Sequence, residues 1–155
     1  MKLKILIAYS IALLLVTIGC SRKTIPTSAE VNYLTGKDGT ITMRAIGVSS
    51  NQEDAIFDAI KNTFEVIFFR GLPESEQKTA LIGTNEVEEK AKHKTYFDKF
   101  YNEQRYKSFV MSSIPTTSLI KSKGGKKSIG VDVKINLTAL RNDLVQNNII
   151  RKFGF

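Results

Sequence analysis

Cysteine and histidine are almost absent from this chain: Cys20 and His93 are the only ones in 155 residues. A lone cysteine excludes an internal disulfide. A domain built here must be held by its own apolar core, which a chain of this size can supply. One histidine and one cysteine do not furnish the three or four ligands of a zinc site. A Ser-His-Asp arrangement needs a histidine oriented by a carboxylate. Glu89 stands one helical turn before His93, a pairing common on any charged helix, and the flanking Lys92 and Lys94 read as a solvated face. Long hydrophobic runs are missing as well. Residues 5–18 are almost wholly apolar, but 14 residues fall short of the roughly 20 that span a bilayer. A full phosphate loop is also missing, because Lys123-Gly124-Gly125-Lys126-Lys127 leads into a strand pattern rather than a helix. The reading is therefore not an enzyme, with no catalytic residue, no metal ligand and no cofactor assigned.

What is present begins at the N-terminus. Lys2 and Lys4 form a basic start, residues 5–18 an apolar stretch, and Gly19 a small residue directly before Cys20. Length and flanks fit a secretory signal of 1–19 better than a membrane helix. Gly19-Cys20 resembles the lipobox of bacterial lipoproteins, with Thr17 standing where that family usually has Leu or Val. The resemblance implies cleavage between Gly19 and Cys20, diacylation of the Cys20 thiol, and acylation of the new amino terminus by a palmitate-type chain. A plain signal peptide or an uncleaved anchor is the alternative. A thioether-linked cysteine cannot act as nucleophile or redox centre. Each buried methylene is worth about 0.8 kcal/mol, so three acyl chains anchor the protein firmly. Ser21 follows the cysteine rather than Asp. By the sorting habit of many enteric lipoproteins this implies the outer membrane, with the domain facing the periplasm.

The formal charge is +8. Without Lys2 and Lys4 it is about +6, and basic chains bind nucleic acid, anionic lipid or acidic proteins. An exported chain has no nucleic acid to meet, so the expected partners are the membrane, through the lipid anchor, and an envelope protein complex.

Residues 20–38 read as a tether of Ser, Thr, Pro26, Gly36 and Asp38, part of which, 30–34, could dock as an edge strand. A single domain is expected over 39–155. Asp38-Gly39 marks a turn, and 40–48 a first strand with Ile41, Met43 and Ala45 on one face. Ser50 and Glu53 match a capping box. The helix after it carries Ala55, Ile56, Ala59, Ile60, Phe64, Ile67 and Phe68 at three- and four-residue steps, and its two alanines allow close approach to a sheet. Arg70, Gly71 and Pro73 close it. Residues 72–83 form an irregular loop of a length that is often functional. A second helix is predicted from Asn85 to about Tyr106, with Val87, Ala91, Phe97, Phe100 and Tyr101 buried and Glu86–Lys90 and Glu88–Lys92 pairs in water. Three strands follow, over 108–112, 117–123 and 126–137. The last alternates Ile129, Val131, Val133, Ile135 and Leu137 with polar residues, which implies one buried and one wetter sheet face. Thr138 caps a short final helix. The order β-α-α-β-β-β-α predicts an α+β fold: an antiparallel sheet of about four strands, two long helices on one face, and a short C-terminal helix.

The Ala45-Ile46-Gly47 strand end, the helix with Ala55 and Ala59, and the closing strand Gly130-Val131-Asp132-Val133-Lys134-Ile135 are similar to LPP20-like lipoproteins and to the N-terminal domain of flagellar assembly protein T. Phe69-Arg70-Gly71-Leu72-Pro73 and the ending Arg151, Lys152, Phe153, Gly154, Phe155 look like features of a narrower group of Bacteroidota-type lipoproteins, some of which accompany trans-envelope machines such as type VI secretion. The resemblance implies a structural or assembly component of a trans-envelope complex. Its expected contacts are Phe69, Arg70, Leu72, Pro73, Arg151, Lys152, Phe153 and Phe155. The alternative function is binding of a glycan or lipid, in a pocket formed by Ile46, Val48 and the aromatic helix end around Tyr96, Phe97, Phe100, Tyr101 and Tyr106. Lys121, Lys123, Lys126 and Lys127 make either a plain basic hairpin tip or a patch for an anionic ligand.

Overall fold

A computed structural model describes residues 30–121 and 126–151. The signal segment, Gly19, Cys20, Lys123, Lys152, Phe153 and Phe155 lie outside the described residues. The chain is α+β. Strands β1 (Val31–Lys37) and β2 (Thr40–Ser49) precede helix α1 (Gln52–Phe69). Two short helices follow, α2 (Glu86–Lys92) and α3 (Lys94–Tyr101), then a 3-10 turn (Arg105–Ser108). Strands β3 (Val110–Pro115), β4 (Ile120–Lys121) and β5 (Lys127–Asn136) and helix α4 (Leu137–Gln146) complete it. The sheet is antiparallel in the order β1-β2-β5-β3, with β4 also on β5.

The expected tether is shorter than 20–38, because Val31–Lys37 is a full edge strand paired to β2. Asp38 and Gly39 both take positive φ, 52° and 72°, the pattern of a tight hairpin turn whose twist suits the two strands it joins. Five of the strand's seven residues are polar, glycine or exposed, which is why its run alone reads as linker.

The first helix starts one residue later than expected. Asn51, not Ser50, is the cap: its Oδ1 accepts from Asp54 N–H at 2.9 Å, and its amide returns a bond to Asp54 Oδ2 at 2.7 Å. Two overlapping capping patterns sit in the sequence, and the reciprocal Asn-Asp pair wins. Likewise Asn136, not Thr138, caps α4, its Oδ1 accepting from Ala139 N–H.

One sheet face carries the core. Ile41, Met43 and Ala45 of β2 and Ile129, Val131, Val133 and Ile135 of β5 are buried beneath α1. Residues two apart on a strand share a face, so each β2 residue meets its β5 partner on the same side. Phe64 and Phe68 of α1 meet Phe100 of α3 at ring-centre distances of 4.9 and 5.3 Å in edge-to-face geometry, the favoured arrangement of aromatic quadrupoles. The aromatic helix end is therefore core.

The predicted second helix is interrupted. His93 takes φ −111° and ψ 32°, ending α2 and starting α3. Helix α2 buries nothing, and Val87, expected inside, is 80% exposed. Seven residues are too few to hold a helix alone. Lys90 supplies the tie instead, reaching Glu86 at 2.9 Å and Glu65 of α1 at 2.6 Å. The Glu86–Lys90 pair thus forms as expected, whereas Lys92 lies nearer Glu89, at 3.9 Å, than Glu88.

The third predicted strand region is similarly broken. Among the described residues, the run expected over 117–123 contributes Ile120–Lys121. At the break Thr116 N–H donates to Gly130 C=O at 2.7 Å, and Gly130 N–H donates to Thr117 Oγ1 at 2.9 Å. A hydroxyl replaces a ladder carbonyl, and the strand leaves the sheet there.

The 72–83 loop has no regular structure, as expected, but it is tied down. Leu81 and Ile82 N–H groups donate to the carbonyls of Ile67 and Phe68, and Gln77 accepts from Arg141 of α4. Gly71 makes the turn into it at φ 77°, and a Cβ there would lie 2.5 Å from Lys78 O. Gly71→Ala is expected to cost about 2 kcal/mol in urea unfolding, from strain and backbone contact together. Asn, which tolerates positive φ, should not restore it, because the clash is with the Cβ. A midpoint unchanged by either substitution would contradict this account of the turn.

Candidate functional site

The bend at His93 shapes the most functional-looking part of the surface. Thr95, Tyr96 and Lys99 share one side of α3, and the bend brings Lys92 of α2 to the same place. Gln104, left-handed at φ 59°, turns the chain so that Arg105 comes alongside. Asn147 and Ile149 reach the same place from the end of α4, where left-handed Asn148 at φ 56° reverses the chain. These residues and His93 line a cleft of about 310 Å³.

Its floor is organised by Asp143. That residue belongs to the buried side of α4 with Leu140 and Leu144. Tyr96 Oη donates to its Oδ2 at 2.9 Å, Arg105 donates to Oδ1, and Asn147 Nδ2 donates to its backbone oxygen at 2.8 Å. Burial and the Asp143 carboxylate push the Tyr96 phenol far above its ordinary range. A buried carboxylate with a guanidinium and a phenol on it is a satisfied network, and such networks fix geometry more than they add stability.

A second buried carboxylate, Glu65 of α1, lies on the other side of α3. Tyr101 Oη donates to its Oε1 at 2.8 Å and Lys90 Nζ stands 2.6 Å from Oε2. Desolvation raises the Glu65 pKa against the opposing pull of Lys90 and Tyr101. Desolvation would lower Lys90, but its bonds to Glu65 and Glu86 outweigh that and raise it. Burial and Glu65 hold the Tyr101 phenol well above its ordinary value.

His93 differs from its expected solvated state. Its side chain is 14% exposed, and Nε2 sits 3.6 Å from Glu89 Oε2, beyond a hydrogen bond. Nε2 has no partner. No group of three or more His, Cys, Asp or Glu suited to a metal occurs among the described residues.

The expected contact residues are dispersed. Phe69 and Leu72 are core, buried under the tied loop, and are not available to a partner. Aromatic and leucine side chains next to a helix end read as surface only if the following loop is loose, and this one is not. Arg70, Pro73 and Arg151 are exposed. Of the lysine patch, Lys121 and Lys127 face each other directly across the β4–β5 ladder, and Lys126 is exposed beside them. Ile46 and Val48 lie on the sheet face away from α1, whereas the aromatic helix end packs on the α1 side. The two sets cannot line one pocket, so the pocket expected for a glycan or lipid ligand is not formed.

Asp143, Arg105 and Glu65 go unnoticed in the sequence. The available signal is a carboxylate within an apolar stripe, at Asp143 beside Leu140 and Leu144, and at Glu65 between Phe64 and Val66. No protein-family model, curated protein or solved structure matches the chain.

Proposed function

We propose that this chain is a lipid-anchored protein of the cell envelope, held at Cys20 and sited on the periplasmic side of the outer membrane. It serves as a structural or assembly component of a trans-envelope complex, with a type VI-like secretion apparatus as one setting. It acts by protein contact. The observation that carries this reading is the sheet face opposite α1. Ile114 and Ile120, 60% and 58% exposed, lie on it together with Val48 and Ile46. Pairing places Ile114 opposite Asp132, and Ile120 opposite Ser128 and hence next to Val48. Gly130 between them contributes no side chain. Thr116 and Thr117 lie over Gly130 between the two isoleucines, so the face offers exposed apolar groups around a polar centre, with Arg44 bonded to Asp132 at 2.7 and 2.9 Å at its rim, a mixed composition suited to docking. Arg70, Pro73 and the ending with Arg151, Lys152, Phe153 and Phe155 are further contacts proposed on sequence grounds.

Two measurements test the reading. Labelled palmitate is expected to enter the wild type and not Cys20→Ala. Crosslinking in native membranes is expected to capture one dominant complex, weakened at least tenfold by Ile114→Asp with Ile120→Asp. These side chains are exposed, so the fold should survive. An unlabelled wild type removes the anchor, and an unchanged complex in the double variant removes the docking face.

A further inference from the structure

The cleft at the α2–α3 bend has no part in a docking role for the opposite sheet face, yet its walls carry unspent charge. Lys99 has no carboxylate within 4 Å among the described residues, and Lys92 has Glu89 at 3.9 Å, a long contact to a lysine that is itself mostly in solvent and so of little energetic weight. Arg105 directs one nitrogen at Asp143 and keeps further N–H donors free, since a guanidinium has five. Asp143 is itself covered, its Oδ2 by Tyr96 and its Oδ1 by Arg105 and Asn147, so its charge is met inside the wall. His93, whose Nε2 is shielded and without a hydrogen-bond partner among the described residues, lines the same cleft.

We propose that this cleft binds a phosphate ester. Lys92, Lys99 and Arg105 come from three separate elements and converge on one volume. A phosphate monoester carries close to two negative charges and three acceptor oxygens, and so can engage several cations at once where a carboxylate offers two oxygens. Thr95 supplies an uncharged hydroxyl donor at the rim. The volume of about 310 Å³ exceeds a bare phosphate and leaves room for the organic part against the Tyr96 ring and Ile149. Asp143 is a positioning residue: it fixes the guanidinium and the phenol and does not touch the ligand. Two sources share this chemistry, a soluble metabolite and a lipid headgroup, the second resting on the membrane anchor proposed above.

The test is an amide NMR titration of the full chain in zwitterionic micelles, with glycerol phosphate against sodium chloride at equal ionic strength. A parallel arm dopes the micelles with phosphatidic acid, whose headgroup is a phosphate monoester. Shifts confined to residues 92–99, Arg105 and 147–149 are expected in at least one arm. Lys92→Gln with Lys99→Gln should weaken the response at least tenfold while leaving the rest of the spectrum in place. Response to glycerol phosphate identifies a soluble ester, and response to the doped micelle alone identifies a headgroup. Shifts spread equally over Lys121 and Lys127, an undiminished response in the double variant, or no shift in either arm would overturn the proposal.

Discussion

Replacing Gly47 by alanine should lower stability by about 3 kcal/mol or more, an effect near the upper range for adding one methyl group to a packed interior. Gly47 lies in β2 where α1 crosses it. A Cβ built there would stand 1.8 Å from Ala55 O and 2.6 Å from Ala59 N. Both are backbone atoms of a helix that is itself buried at Ala55 and Ala59. The helix would have to move off the sheet, and with it Phe64 and Phe68, about one and a half and two and a half turns beyond Ala59. At roughly 3–5 °C per kcal/mol for a domain of this size, the melting temperature should fall by about 10 °C or more. Trimming the neighbour in Gly47→Ala with Ala55→Gly should recover nothing, because the obstructing atom is a carbonyl oxygen. Gly130→Ala makes the contrast. Its Cβ would lie 2.8 Å from Thr116 Oγ1, the tip of an exposed side chain that can rotate, so a cost of about 1 kcal/mol is expected. Equal effects at positions 47 and 130 would refute the close helix–sheet contact.

The second large effect is alkaline. Tyr96 and Tyr101 have phenol pKa values raised in the folded chain, the first by burial and Asp143, the second by burial and Glu65. Unfolded, each phenol loses its proton near pH 10. Above that pH the unfolded chain therefore binds fewer protons than the folded one, and stability falls as pH rises. The contribution is complete below about pH 10 and is lost between that value and the folded pKa values. Each phenol contributes about 1.4 kcal/mol per pH unit, so the pair gives a slope of about 3. Lys90, also raised, stays protonated when the unfolded lysine releases its proton, and steepens the loss above its ordinary value. Urea unfolding between pH 8 and 11 measures the slope. Tyr96→Phe and Tyr101→Phe should each flatten it by about 1.4 kcal/mol per unit. Each should also lower stability at pH 8 by about 1–3 kcal/mol, because Asp143 or Glu65 loses a buried donor. Curves that run parallel to the wild type above pH 10 would show that these phenols are not held neutral by the fold.

The proposed docking face and the proposed phosphate-ester cleft lie on opposite sides of the sheet. The apolar residues Val48, Ile114 and Ile120 project from the uncovered face, while Lys92, Lys99 and Arg105 belong to the helical layer. Substitutions at one are therefore expected to leave the other unchanged, since distant sites without shared partners act additively. Complex capture should survive Lys92→Gln with Lys99→Gln, and the cleft titration should survive Ile114→Asp with Ile120→Asp.

Local periodicity determined a large share of this molecule. The alternation from Ile129 to Ile135 marked a strand with one dry face. The three- and four-residue recurrence from Ala55 to Phe68 marked the principal helix, and its alanines foretold a tight crossing. Asp38-Gly39 marked the hairpin turn, and the polar composition of 72–83 marked a loop. Each of these follows from the repeat of a single element and needs no distant partner. What distance decides could not be read that way. Val31–Lys37 is a strand because β2 offers an edge to it, not because its own residues insist. His93 breaks a helix because Lys90 is drawn to Glu65 and the aromatic residues of α3 to Phe64 and Phe68. Phe69 and Leu72 are inside because carbonyls of α1 and Arg141 of α4 hold the loop over them. Asp143 and Arg105 meet across 38 positions of sequence. Hydrophobic patterning tells which face of an element is dry. Only the packed chain decides which charges lie together at its edge, because Coulomb and hydrogen-bond energies depend on separations that the sequence does not contain.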